Sequence, residues 1–359
     1  MLNKMGSGNL DCRQDGAKIG GARSGYLFNS TIAGIDEADA LLIIGSNPRI
    51  EAAVLNARIR RNWLATSLPV GVIGPQVDLT YEAEHLGDDP ALLDVILAGK
   101  SKFAAKLNKA QRPMIIIGMG ALARPDGAAI LGKAREIADS YGVVGGGWNG
   151  FNVLHTAAAR VGGLDVGFVP DRGGMDIAGM YKAAEVGSLH VVWLMGADEI
   201  DHARLSKAFV VYQGHHGDRG AHHADVVLPG AAFTEKDGIY VNTEGRVQYA
   251  SRAAFPPGDA REDWAIIRAL AERIGVNLGF DSLEQLRNAL FERVPHFAGR
   301  DEVAAARWAK FGGRSKLSTA AIGTVLDGFH MTCAISRASE TMGQCMMALA
   351  DEGAQDAAE

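Results

Sequence analysis

Between residues 39 and 144 the chain alternates short, unbroken apolar runs with amphipathic stretches, and this alternation constrains the fold more than any other feature. The runs at 40–44 (ALLII), 69–74 (PVGVIG) and 114–117 (MIII) have strand length and contain no polar side chain. A strand that reads apolar throughout is one buried on both faces, as in a parallel sheet. The stretches between them read as helices. Residues 50–63 place Ala53, Leu55, Ile59 and Trp63 among Arg58, Arg60 and Arg61, with cations in the last turns where the helix dipole favours them. Residues 89–98 follow Asp88 or Asp89 as N-cap with Pro90 at the first helical position, 100–110 continue in the same manner, and Pro125 and Asp126 open a helix to Tyr141. Ending on a strand at Val144, the order strand, helix, strand, helix, strand, helix, strand predicts an α/β, Rossmann-like parallel sheet with helices on both faces.

A second, less regular α/β unit is expected from 145 to 255, after the glycines of GGGWNG. Its predicted elements are helices over 151–160 and 180–186 and strands over 190–195, 209–212 and 224–228. Apolar residues two apart on either side of Thr243-Glu244-Gly245 predict a tight hairpin over 239–249. Pro256-Pro257-Gly258 breaks the chain. Helices over 262–274 and 282–291 and a helix start between Cys333 and Cys345 make 256–359 a helical C-terminal extension, with a loose, polar end beyond Leu349.

Composition excludes several function classes. Acidic residues outnumber basic ones by 42 to 36, for a formal charge of -6, so no general basic field is available to hold nucleic acid. No apolar run approaches the roughly 20 residues that span a bilayer, so no direct membrane insertion is expected. Three cysteines, Cys12, Cys333 and Cys345, cannot build a disulfide framework and lack the close spacing of iron-sulfur or zinc sites.

Three groups of residues invite a functional reading. Gly45-Ser46-Asn47-Pro48 and Gly118-Met119-Gly120 stand at carboxyl ends of predicted strands, where open α/β sheets bind ligands. Neither matches G-x-G-x-x-G, and tight strand-to-helix turns use glycine for packing in any such fold. His215, His216, His222 and His223, with Asp218 and Asp225, suggest a metal. Adjacent histidines point apart on extended backbone, however, and Gly214, Gly217 and Gly220 make the segment a loop, so no metal site is expected. Glu235, Lys236, Asp237, Glu244 and Arg246 surround the hairpin, where charges are usually solvated or paired locally. No nucleophile elbow or P-loop occurs, and no catalytic residue is assigned.

The segments ADALLIIGSNP (38–48), ADVVLP (224–229), Glu235-Lys236 and NTEGRVQ (242–248) resemble the molybdopterin oxidoreductase family, in the expected order. More closely, residues 25–60 and the whole 215–248 block are similar to the large iron-sulfur subunit of respiratory complex I, NADH:quinone oxidoreductase. The resemblance runs from Gly6 to about Cys345. It implies a molybdopterin oxidoreductase-like fold and membership of an electron-transfer machine carrying electrons from NADH to quinone. It also implies other complex I subunits as partners, including the NADH- and flavin-binding subunit and a cluster-bearing N-terminal half with 4Fe-4S and 2Fe-2S clusters. The expected location is peripheral, on the cytoplasmic face of the bacterial inner membrane or the matrix face of the mitochondrial one.

The chain departs from the family in lacking the upstream cluster-binding cysteines. Where true molybdoenzymes carry their metal ligand, about six residues after an Asp matching Asp11, it has Ala17. The expectation is therefore a structural module with no cofactor of its own and no molybdopterin, in which Gly45, Ser46, Asn47, Pro48, Gly118 and Gly120 are vestigial ligand turns. The alternatives are a molybdopterin- or nucleotide-binding oxidoreductase fragment, and a split reading frame whose product pairs with a separate cluster-bearing chain.

Overall fold

A computed structural model describes all residues except 159, 172, 218, 327, 329, 330 and 357–359, with side chains described up to residue 348. The first unit runs β1 (Ala40–Ile44), α1 (Pro48–Glu51), α2 (Ala53–Thr66), β2 (Val70–Ile73), β3 (Glu84–Gly87), α3 (Leu92–Leu97), α4 (Lys102–Lys109), β4 (Pro113–Ile117), α5 (Met119–Leu122) and α6 (Gly127–Ser140). A two-residue hairpin, β5 (Val144–Gly145) and β6 (Trp148–Asn149), leads to β7 (Phe151–Val153) and α7 (Arg160–Asp165).

All five strands of the main sheet are parallel, in the order β3-β2-β1-β4-β7. Every residue of β1, β2 and β4 is buried, which explains their unbroken apolar sequences. Alternation divides them between two cores. Leu42, Ile44, Ile115 and Ile117 pack with Phe103 and Leu107 of α4 and Ile130 and Ile137 of α6, while Leu41, Ile43, Met114 and Ile116 meet Leu55 and Ile59 of α2. Gly71 of β2 is glycine because a Cβ there would lie 2.8 Å from the Phe103 ring.

Two local expectations are corrected, and one strand carries no sequence signal. The run at 151–160 is not a helix: Phe151–Val153 pairs with Ile115–Ile117 as the fifth strand, and α7 begins only at Arg160. Three residues are too few to display a period. The edge strand β3 has a polar sequence, EHLG, and is partly exposed, so it carries no apolar signal. Neither Asp88 nor Asp89 caps the next helix as expected; Asp89 accepts from the Ala91 amide at 2.8 Å, and α3 starts at Leu92.

The second unit contains α8 (Ile177–Glu185), β8 (Val191–Met195), β9 (Phe209–Gly214), α9 (Arg219–His222) and β10 (Val226–Pro229), forming a three-stranded parallel sheet in the order β10-β9-β8. The hairpin β11 (Gly238–Val241) and β12 (Val247–Ala250) then reaches back to the first unit, where the Phe28 amide donates to Thr243 O at 2.8 Å. Beyond it lie α10 (Asp263–Arg273), α11 (Leu283–Arg293), α12 (Ala334–Arg337) and α13 (Glu340–Asp356). The segment expected to be loose beyond Leu349 is thus helical to Asp356. Among the described residues, no helix is long and apolar enough to cross a membrane.

Between α11 and α12 the chain returns as an extended strap across the first unit. Phe311 packs on Phe151 with ring centroids 5.2 Å apart, the Gly313 amide donates to Ala128 O, and the Ser318 amide donates to the Asp126 carboxylate at 2.8 Å. Arg124 donates to Ala321 O at 2.7 Å, and the Ile322 amide donates to Asp88 O at 2.8 Å.

Candidate functional site

Strand order in the main sheet reverses between β1 and β4, and the crevice outside their carboxyl ends is where such sheets hold ligands. Gly45-Ser46-Asn47-Pro48 and Gly118-Met119-Gly120 lie together there. Gly45 has φ +60, and a Cβ on it would meet Ala121; one on Gly118 would stand 2.6 Å from Gly45 O; one on Gly120 would overlap the carbonyl oxygen of Gly323 in the strap. These glycines permit close backbone packing, and the strap fills the crevice with Ile322, which is fully buried.

Two donors of the turn, the Ser46 hydroxyl and the Asn47 amide, are also satisfied from within. Glu51, buried at the end of α1, accepts from Ser46 Oγ at 2.6 Å and from the Asn47 amide at 3.1 Å. Burial pushes its carboxyl pKa up, against the opposing pull of these two bonds. Asn47 Oδ1 is buried without a partner.

The carboxyl end of the smaller sheet repeats the arrangement. Gln213, next to last in β9, is fully buried, its Nε2 donates to Asp263 Oδ1 at 2.7 Å, and Lys236 pairs with the other oxygen of that carboxylate. Asp263 is the first residue of α10, so its negative charge also meets that helix's N-terminus. Gln213 Oε1 has no partner.

A third polar centre lies beside the first crevice. Among the described residues, Arg160 is the largest fully buried side chain; it pairs with Asp15 at 3.0 Å and approaches Met119 Sδ at 3.9 Å. Nearby, His155 Nε2 bonds Tyr26 O at 2.6 Å; burial lowers its pKa to about 4, so the ring is neutral at pH 7. Burial raises the Cys12 thiol to about 11, which leaves it protonated and unreactive. Ala17 is buried and offers no ligand atom. Asp165, its side chain fully buried, accepts from Arg23 Nε at 2.9 Å, Tyr26 OH at 2.8 Å and His296 Nε2 at 3.0 Å.

The histidines of the 215–223 loop do not converge. His215 and His216 bond each other through Nδ1 atoms 2.6 Å apart, whereas His223 stacks on His202 with centroids 4.9 Å apart and a tilt of 14°. Asp225 is engaged by the Val210 amide at 2.7 Å, and Asp218 lies outside the described residues. Among the described residues, no group of three His, Cys, Asp or Glu side chains is placed to hold a metal. Of the hairpin charges, Glu235 and Asp237 accept local amides, but Glu244 is buried: besides Arg246 at 3.0 Å it takes the Ile32 amide of the first unit at 2.8 Å.

Sequence patterns do not single out Glu51, Asp263, Gln213, Arg160 or Asp165. Glu51 sits four residues after Asn47, a spacing that returns a carboxylate to the turn amides, and this is the one available signal. The others meet their partners only through tertiary packing.

The chain is 43% identical over 350 residues to the iron-sulfur protein 1 of mitochondrial NADH dehydrogenase [ubiquinone] from Solanum tuberosum, covering 96% of this chain and 46% of the relative. It is 43% identical to the mitochondrial NADH-ubiquinone oxidoreductase 78 kDa subunit of Neurospora crassa, over 97% of this chain and 47% of the relative. The G subunit of NADH-quinone oxidoreductase from Rickettsia bellii is 41% identical over 97% of this chain and 50% of the relative. The chain therefore spans about half the length of the curated relatives it matches. Acetylene hydratase from Pelobacter acetylenicus superposes with a TM-score of 0.49 at 12% identity, over 77% of this chain and 54% of that one. The family model for the C-terminal part of the NADH-ubiquinone oxidoreductase G subunit matches residues 297–345, a stretch that contains the strap. With the molybdopterin oxidoreductase model matching residues 1–273, the chain belongs to the molybdopterin oxidoreductase family.

Proposed function

We propose that the chain is a scaffold module of NADH:quinone oxidoreductase, respiratory complex I, with no cofactor or catalytic step of its own. The observation that carries this reading is the self-filled carboxyl edge of each sheet. The family's name implies a molybdopterin, and the residues present do not fit one. Ser46 and Asn47 already donate to Glu51, Ile322 and Gly323 occupy the crevice at the strand reversal, and Asp263 takes the equivalent donors of the smaller sheet. A carboxylate at each edge also repels a phosphorylated ligand. Gly45, Ser46, Asn47, Pro48, Gly118 and Gly120 are then vestigial ligand turns that serve chain reversal and packing.

The relatives' names and their 41–43% identity support the assignment to complex I. In this reading the partners are the NADH- and flavin-binding subunit and a cluster-bearing N-terminal half, whose 4Fe-4S and 2Fe-2S clusters carry the electrons. The module attaches peripherally, on the cytoplasmic or matrix face. The test is affinity purification from membranes under anaerobic conditions, with elemental analysis and NADH:quinone activity. The expected outcome is co-purification with that activity and with iron, and molybdenum far below one per chain. Stoichiometric molybdenum would overturn the scaffold reading in favour of a molybdopterin-binding oxidoreductase fragment.

A further inference from the structure

The sheet β10-β9-β8 is parallel throughout, yet among the described residues its faces are covered unequally: α8 packs along one, whereas on the other α10 reaches Gln213 at the carboxyl end and several apolar side chains stay exposed. Leu194, Val210 and Tyr212 are buried against Tyr181 and Ala184 of α8. Strand alternation puts Val191, Trp193, Met195, Phe209, Val211 and Val226 on the opposite face, and the register sets Val191 beside Phe209, Trp193 beside Val211, and Val211 beside Val226. Val191 is 57% exposed, Phe209 48%, Met195 45% and Val226 37%. A contiguous apolar surface of this kind marks an interaction site, and parallel sheets occur almost only with both faces covered by helices.

The dimensions select the cover. Strands of four to six residues give a face about 17 Å long, and three strands span about 10 Å. One helix of about 11 residues is roughly 16 Å long and 10 Å across. Two copies of this chain apposed here would instead make a sheet-on-sheet sandwich, the arrangement of antiparallel sheets.

We propose that this face docks one amphipathic α-helix belonging to the polypeptide that accounts for the rest of the relatives' length, its aliphatic stripe seated on Val191, Trp193, Phe209 and Val226. The source follows from coverage: relatives matching over 96 to 97% of this chain have only 46 to 50% of their length within the match, so an equal length of polypeptide accompanies this fold in each of them. The inference rests on the scaffold reading above.

A photoreactive benzoylphenylalanine placed at position 209 of the chain in the assembled complex tests it. Irradiation of membranes, followed by peptide mapping, is expected to link position 209 to a peptide outside residues 1–359 whose apolar residues recur with helical spacing. The same probe at Val54, on the surface of α2, is expected to give no such link. Phe209→Glu is expected to reduce recovery of the linked polypeptide at least tenfold, with an unchanged circular dichroism spectrum of the isolated chain. A link to a second copy of residues 1–359, or no link from position 209 while complex I subunits still co-purify, would overturn the proposal alone. Loss of all complex I subunits from the unmodified chain would overturn the scaffold reading with it.

Discussion

His155 is held neutral by its surroundings, and the consequence is a dependence of stability on pH. Its pKa lies near 4 in the folded chain because burial disfavours the imidazolium and Arg160 lies close by. The unfolded ring titrates near the usual 6.5, so between these values the unfolded state binds more protons. The stabilisation is fully present above pH 6.5 and is lost as pH falls towards 4, by at most about 3 kcal/mol from this residue. Urea unfolding at a series of pH values in that window is expected to give a steeper loss for the native chain than for His155→Gln. Glu51 acts in the opposite sense: its raised pKa makes the folded state the better proton acceptor, so its contribution weakens as pH rises from its unfolded value.

At the level of elements, glycines and the strap carry the closure of the main sheet. Gly120→Val would drive a side chain into the carbonyl oxygens of Gly323 and Gly45. We expect it to displace the strap, destabilise the chain by about 1–3 kcal/mol and accelerate hydrogen exchange at the Ile322 amide. Gly343→Ala in α13, where a Cβ meets nothing, is the control and is expected to stabilise slightly. The elements legible in the sequence are those with a strong period or an apolar run: β1, β2, β4, α2, α4 and α6 in the first unit, and α8, β8, β9, β10, the β11-β12 hairpin, α10 and α11 after it. Phe151–Val153 escaped because the sheet, not the local sequence, makes it a strand. The ligand turns were visible as glycines, but their contents were not. The strap reaches Gly120 from two hundred residues away, and no periodicity encodes that contact.

Across the whole molecule, a few buried charges join segments distant in sequence. Arg23 donates to Asp165, to Ala304 O at 2.5 Å and to Gly245 O at 3.5 Å, linking the N-terminal loop, α7, the hairpin and the C-terminal extension. Asp165→Ala would leave Arg23 without its counter-charge and Tyr26 without its acceptor. A loss of about 3–5 kcal/mol is expected in denaturant unfolding. Asp281→Ala, which removes an exposed partner of Arg268, is expected to leave the denaturant midpoint nearly unchanged.

The strap also dictates an order of events during synthesis. β1, β2 and β4 leave the ribosome long before residues 311–323, and domains begin to fold as they emerge. Until the strap arrives, Gly74 and Gly120 lack their cover, and Arg124 waits for an acceptor 197 residues downstream. The nascent first unit therefore spends the time needed to translate those residues with its carboxyl edge open, the interval in which a chaperone has most to recognise.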